Sequence, residues 1–220
     1  PTVDPEVPMG PLTRGVRAPE IHALKGAFCI VFSLSGQGVG ILKSISPEGP
    51  YQLLAPDESA RHGGATVRPI VYEGGSPSLV EDGGTVYLIW NRGLIAPMKE
   101  DLTGIAEAPG QLRCAADPAT PDYPWTVGQR GFQILKVNGK YVLAAMEDAV
   151  AGGRKTQALY AAASDSLRGP YGKRHLILPD AGECFLFRQG DSVFAWFSPQ
   201  GPAGNKDPHT RPVAVPVSLK

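Results

Sequence analysis

The feature that most constrains this chain is a phrase it uses twice. Ser-x-x-Gly-Pro-Tyr stands at residues 46–51 and again at 166–171, 120 positions later, and the segments around the two copies also match. Before the first copy, "RAPEIHALKGAFCIVFSLS" (17–35) reads as a strand, a tight turn at "LKG" and a second strand of aromatic and β-branched residues. "QGVGILKSISPEGPY" then supplies a third strand and a turn. Before the second copy, "RGFQILKVNGKYVLAAM" (130–146) turns at "VNG" and leads into "QALYAAASDSLRGPY" (157–171). Asn-Gly between apolar runs is a strong hairpin signal, because both turn residues adopt positive φ readily.

Two more segments fit the same template. "GSPSLVEDGGTVYLIWNRGLIAPMKEDLTG" (75–104) turns at "EDGG", with "EDLTG" where the others have "PEGP" and "SLRGP". "GECFLFRQGDSVFAWFS" (182–198) turns at "RQGD". The opening positions Ala18, Ser76, Gly131 and Gly182 follow one another at intervals of 58, 55 and 51 residues. A period near 50 with three or four strands per unit is the mark of a β-propeller. The phrase therefore recurs because each copy ends the third strand of a blade. The expectation is an all-β chain, residues 1–220 forming a single β-propeller domain with blades near 17–52, 75–104, 130–172 and 182–217. A β-sandwich is the competing architecture. No segment sustains a 3.6-residue apolar period for three turns, which argues against helices.

Composition agrees. The chain has 27 Gly and 22 Pro among 220 residues, well above ordinary usage of roughly 12% for the two together, yet 42% of its residues are apolar. That balance suits many short strands joined by many turns rather than disorder. Lys plus Arg and Asp plus Glu both number 21, so there is no electrostatic footprint for nucleic acid or an anionic membrane. The apolar runs fall far short of the ~20 residues of a membrane helix. No leader pattern opens the sequence, and a start at Pro1 rather than Met reads as a trimmed piece of a longer product. Cys29, Cys114 and Cys184 are an odd count, two of them in apolar strand patterns, and read as buried free thiols. No Cys/His spacing suggests zinc, and no cofactor is indicated.

The blade phrases resemble those of the five-bladed β-propeller glycosidases of glycoside hydrolase family 43. "APEIHALKGAFCIVFS" resembles that family's second-blade phrase, and "SPSLVEDGGTVYLIW" its third-blade Asp-Pro-Ser-Leu phrase. "RGFQILKVNGKYVL" is similar to the fourth-blade Glu-Gly-Pro phrase, "GECFLFRQGDSVFAWF" to the fifth-blade Gly-His segment, and "TRPVAVPVSL" to the closing strand. The similarity spans residues 17 to 217, and the family's first blade is missing or reduced to residues 1–16. A missing blade leaves a strand edge that must be covered.

The resemblance implies three carboxylates on the first strands of blades: a general base, a general acid and a residue that tunes the acid. Inverting hydrolysis needs a carboxylic acid to protonate the leaving oxygen and a carboxylate to activate water across the ring. Position by position, the implied set is substituted. The acid glutamate falls on Arg130, whose guanidinium releases no proton at physiological pH. The tuning aspartate falls on Ser76, and the fifth-blade histidine on Glu183. Asp4, followed by Pro5, is the only counterpart to the base, without the hairpin that should follow. First strands of propeller blades line the axial channel, so Glu20, Ser76, Arg130 and Glu183 would converge there. One expectation is an Arg130–Glu183 ion pair that replaces a lost catalytic set. The others are a ligand-binding role and a rebuilt acid/base pair of Glu20 and Glu183.

Further candidates are weaker. His22 alternates out of a strand beside Glu20, either facing a groove or held as a satisfied strand histidine. Trp90 and Trp196 lie mid-strand in apolar runs and are expected in the core. Trp125, with Tyr123 and Asp122, precedes the Arg130 strand and suits either a sugar-stacking platform or a structural role. His62 and His209 read as surface-loop residues. "GQGVG" (36–40) lacks the Lys-Ser/Thr of a phosphate loop and reads as a glycine-rich turn. Two functions follow. One is a carbohydrate-associated propeller that binds glycan with weak or no glycosidase activity. The alternative is an active glycosidase on arabinose- or xylose-containing polysaccharide, with rearranged carboxylates. The resemblance implies an extracellular or periplasmic location.

Overall fold

A computed structural model describes residues 15–34, 37–54, 69–72, 74–115, 127–151, 154–181, 184–197 and 212–219. Asp4, His62, Asp122, Tyr123, Trp125, Glu183 and His209 lie outside them. The described residues form strands and turns with no helix. Residues divide into two compact units at Gly110/Gln111.

The first unit holds two antiparallel sheets. One comprises β1 (Val16–Leu24), β2 (Ala27–Leu34), β3 (Gly38–Ser44) and β4 (Gln52–Leu54), with the short β5 (Val71–Tyr72) also paired to β3. The other runs β6 (Ser78–Asp82), β7 (Thr85–Trp90), β8 (Leu94–Pro97) and β9 (Gly110–Gln111). The second unit holds β10 (Arg130–Val137), β11 (Lys140–Ala151), β12 (Arg154–Ser164) and β13 (His175–Leu178) as one sheet. Its other sheet is β14 (Cys184–Gln189), β15 (Ser192–Phe197) and β16 (Val213–Val217). Each sheet is an up-and-down meander in chain order, the organisation of a propeller blade.

The hairpin turns fall where the sequence placed them. Lys25-Gly26 and Asn138-Gly139 both have two positive φ angles, 49°/72° and 51°/79°, the combination a two-residue type I′ turn requires. Strand patterning explains the packing. In β2, Cys29 and Val31 face β6 and β7, packing with Leu79, Val86, Leu88 and Trp90. Phe32 and Leu34, on the opposite face, pack with Leu42 and Tyr51. A strand buried on both faces needs apolar residues in succession rather than in alternation, which "AFCIVFSL" supplies. Gly40 is a case of close approach: a Cβ there would sit 2.5 Å from the Phe32 ring. In the second unit, Val142, Ala144, Met146, Leu159 and Ala161 pack against Leu186, Val193 and Ala195.

Trp90 is buried as predicted, but Trp196 is not a core residue. It pairs across strands with Phe185, and both rings stand on the open face of β14–β15, 42% and 40% exposed. The reason is parity. Ala195 and Leu186 take the face turned to the neighbouring sheet, so Trp196 and Phe185, one residue along, must point the other way.

Candidate functional site at the strand openings

The two copies of the repeated phrase build one turn at the end of a third strand, β3 or β12. In the first, Ser46 N–H donates to Ser44 Oγ (3.1 Å), Gly49 N–H to Ser46 O (3.1 Å), and Tyr51 O–H to Pro47 O (3.0 Å). In the second, Ser166 N–H donates to Ser164 Oγ (3.1 Å), Gly169 N–H to Ser166 O (3.0 Å), and Tyr171 O–H to Leu167 O (2.7 Å). Both Gly-Pro bonds are cis. Both tyrosines are fully buried, with each hydroxyl bonded as burial demands. The serine and tyrosine side chains named here bond within the turn itself.

The opposite end, where the first strand of each blade begins, is built differently. The repeat aligns Ala18, Ser76 and Gly131, and their φ angles are 46°, 47° and 62°. Left-handed backbone costs a residue with a Cβ roughly 1–2 kcal/mol, so it persists only where the surroundings hold it. At Ala18 and Gly131 it forms a β-bulge, with register shifts between Arg17 and Glu20 and between Arg130 and Gln133. Ser76 is held from its amide, which donates to Ser33 Oγ (3.0 Å), while Gly75 N–H donates to Asn91 Oδ1 (2.9 Å). Bulges break the ladder and re-aim side chains, and they concentrate beside functional sites.

In the first unit, the β1 bulge is followed by Glu20 and His22 on one face, both about four-fifths buried. His22 Nε2 lies 3.2 Å from Glu20 Oε2 and also accepts from Leu79 N–H at 3.4 Å. One ring nitrogen cannot accept from the amide and donate to the carboxylate at once, so the tautomer decides which contact is the hydrogen bond. In either tautomer His22 is a partnered strand histidine, bonded to Glu20 or to the start of β6.

In the second unit, the Arg130 guanidinium bonds the Asp148 carboxylate, with side-chain exposures of 41% and 62%. Its predicted partner Glu183 falls outside the described residues. Next along β11, Glu147 points to the other face and pairs with Arg174, the two side chains 11% and 13% exposed. Arg174 also donates to Val127 O (3.4 Å) and lies 4.6 Å from the Tyr160 ring centroid. A buried guanidinium with a carboxylate, a carbonyl and an aromatic face around it is a satisfied structural cation. Below Arg130 the strand is pinned: Phe132 is buried, and Gln133 Oε1 accepts from Leu186 N–H at 2.7 Å.

Asp148, Glu147 and Arg174 escaped the sequence reading. The signal lay in β11 and β12, whose 12 and 11 residues overrun the 8 of β10. Register opposes Arg130 to Met146, so "EDAV" must project beyond the start of β10 beside it. All three cysteines are buried thiols. Burial raises Cys29 and pushes Cys114 and Cys184 up to about 12, which makes them poor nucleophiles and poor metal ligands. Among the described residues no group of three or more His, Cys, Asp or Glu is placed to hold a metal ion. No helix among them is long and apolar enough to cross a membrane.

No family model and no curated protein matches the chain in sequence. Solved structures match it in fold. An exo-1,5-α-L-arabinanase from a bovine ruminal metagenomic library aligns with TM-score 0.67 and 16% identity over 98% of this chain and 80% of that one. An endo-1,4-β-xylanase from Bacteroides thetaiotaomicron VPI-5482 aligns with TM-score 0.64 and 25% identity, covering 94% of this chain and 77% of that one. A family 43 β-xylosidase/α-arabinofuranosidase from a compost microbial metagenome, complexed with xylotriose, aligns with TM-score 0.67 and 16% identity over 93% and 71%. The fold is that of the family 43-like β-propellers, as the repeat and the blade phrases predicted.

Proposed function

We propose that this chain, a β-propeller of the glycoside hydrolase family 43 type, binds glycan at the openings of its first strands with weak or no ordinary glycosidase activity. The observation that carries the reading is Arg130. Where the resemblance expects a proton donor, a guanidinium stands at the start of β10 and is engaged with Asp148. Arginine stays charged at any physiological pH, so it protonates no leaving oxygen. Ser76, where the resemblance expects the tuning carboxylate, is a hydroxyl with its amide bonded to Ser33. Neutral and charged hydrogen-bonding groups remain, suited to sugar hydroxyls, while the general acid and the carboxylate that tunes it are absent from these two positions. The neighbours named above include an arabinanase and a xylosidase complexed with xylotriose, which supports arabinose- or xylose-containing glycan as the ligand class. In this reading Ser76, Arg130 and His22 contact the glycan and Trp125 supplies a stacking face. The resemblance also favours a place outside the cytoplasm.

A second reading has one observation in its favour. Glu20 is mostly buried and in contact with His22, so a positioned carboxyl group stands just past the opening of β1. Glu20 with Glu183 would then form a rearranged acid/base pair. Wild type, Glu20→Gln and Glu183→Gln assayed on aryl-glycosides, arabinan and xylan separate the two. Saturable binding with no turnover in any of the three supports the binding protein. Turnover abolished by either substitution, with folding intact, establishes the hydrolase.

A further inference from the structure

We infer that the open face of β14–β15 is a stacking platform for a neutral polysaccharide chain, a glycan contact separate from the strand openings. It takes the same class of glycan as the openings but does not depend on their binding it. Cross-strand register places four aromatic rings on this face as two facing pairs, Phe185 with Trp196 and Phe187 with Phe194. The ring centroids lie 6.2 Å and 5.5 Å apart, and the planes meet at only 22° and 20°. Phe185 and Phe187 join the pairs at 6.2 Å, so the four rings form one continuous patch. Beside it β16 sets Ala214 and Pro216 opposite Trp196 and Phe194, both exposed. An antiparallel sheet with one covered face ordinarily turns apolar residues inward and polar ones out. Here β15 gives Val193 and Ala195 to the covered face and its two rings to the outside.

The size and charge of the face select its occupant. Three strands about 4.8 Å apart, with six residues at about 3.3 Å each, make a surface of roughly 200–300 Å². A stable dimer or protein complex needs ~800 Å² from each partner, so the face is too small to hold a second copy. Pro216 also removes a backbone donor from the edge strand, which disfavours addition of a further strand. None of the side chains that these strands direct to the face is charged. Beyond the rings the face continues with the Gln189–Ser192 pair, an amide and a hydroxyl. A narrow, neutral chain matches both limits. Sugar rings carry C–H bonds on their faces and hydroxyls at their rims. The C–H faces can lie on the negative faces of aromatic rings, while the hydroxyls stay in water or meet Gln189 and Ser192. Aromatic side chains turn about only two bonds, which keeps the ordering cost of binding low.

The probes are insoluble neutral xylan for the platform and xylotriose for the openings. Retention on the polymer is measured by depletion from solution, and xylotriose affinity by titration calorimetry. The proteins are wild type, Trp196→Tyr and the double variant Phe185→Ser/Trp196→Ser, with circular dichroism to confirm folding. Wild type should be retained, and the double variant at least about fivefold less, as the loss of two stacking contacts implies. Trp196→Tyr should keep most of the retention, and xylotriose affinity should be unchanged in all three. Equal retention of wild type and double variant, or no retention of wild type, overturns the inference while xylotriose binding still supports the openings. So does a loss of xylotriose affinity in step with retention, since the rings would then act through the openings. Retention by phosphatidylcholine vesicles in preference to xylan, or a dimer that the double variant dissociates, gives the face to a lipid or a second copy and overturns it too. Retention on xylan with no affinity for xylotriose upholds the platform and removes the opening reading. If the double variant does not fold, amide shifts of wild type titrated with soluble xylan decide. Movement at 185–187 and 194–196 upholds the platform, and stillness there overturns it.

Discussion

The two ends of a blade follow different rules. Where the third strand ends, the turns at 44–51 and 164–171 share three hydrogen bonds, down to that of the buried tyrosine hydroxyl. Where the first strand begins, the repeat keeps the backbone and discards the side chains. Ala18, Ser76 and Gly131 share a left-handed φ, yet their neighbourhoods hold a Glu–His contact, a bonded serine amide and an exposed Arg–Asp pair. The turn bonds its own buried groups, so altering Ser44, Tyr51 or their counterparts Ser164 and Tyr171 disturbs buried structure. The openings carry polar groups with solvent on one side, so their chemistry can change without loss of the fold. Repetition marks the scaffold, and divergence on a repeated backbone marks the place where function is free to vary.

If that contrast is right, the scaffold end should be far more sensitive than the openings. Tyr171→Ala and Tyr51→Ala each empty a fully buried aromatic site and should each cost about 3–5 kcal/mol, measured by urea unfolding. Breaking the buried pair with Glu147→Gln or Arg174→Met should cost a comparable ~3–5 kcal/mol. A double-mutant cycle should give strong coupling there, against about 1 kcal/mol or less between Arg130 and Asp148.

The thiols sharpen the comparison by pH. Cys114 and Cys184 are held up to about 12 by burial, above the ordinary thiol value near 9 of the unfolded chain. Between those values the native state keeps protons that the unfolded state has released, so stability must fall as pH rises. The slope is up to about 1.4 kcal/mol per pH unit for each thiol. Replacing both cysteines by alanine should flatten the decline above pH 9, read from thermal unfolding at each pH. Smaller still, Tyr171→Phe and Tyr51→Phe lose one hydroxyl bond apiece and should cost about 1 kcal/mol. The two values should agree closely if the turns are equivalent. At the openings, Arg130→Gln should shift stability by less than about 1 kcal/mol.

What the sequence disclosed divides along the same line. The repeat located the first hairpin turn of each of the four sheets and the ends of β3 and β12, because turn chemistry is local and Gly, Asn and Pro announce it. It understated the turn, however: the hydroxyl oxygens of Ser44 and Ser164, two residues ahead of the quoted phrase, accept from the Ser46 and Ser166 amides. Trp196 was placed in the core because an unbroken apolar run does not say which face is covered. Only the packing of Ala195 and Leu186 decides that. Asp148 and Arg174 were invisible for another reason. The pairs Arg130–Asp148 and Glu147–Arg174 depend on β11 overrunning β10, and the length of an overhang is fixed by register rather than by residue type. Glu20, Ser76 and Arg130 were found because the repeat identifies positions even where the residues differ.

The most direct test maps where ligand touches. Amide chemical shifts of the isotope-labelled chain, followed during titration with a short xylo-oligosaccharide, report each end of each blade separately. The account predicts that the largest perturbations cluster at strand openings, among residues 17–22, 75–78 and 128–133, while 44–51 and 164–171 stay still. Perturbations centred on the Ser-Gly-Pro-Tyr turns, with the openings unmoved, would contradict it.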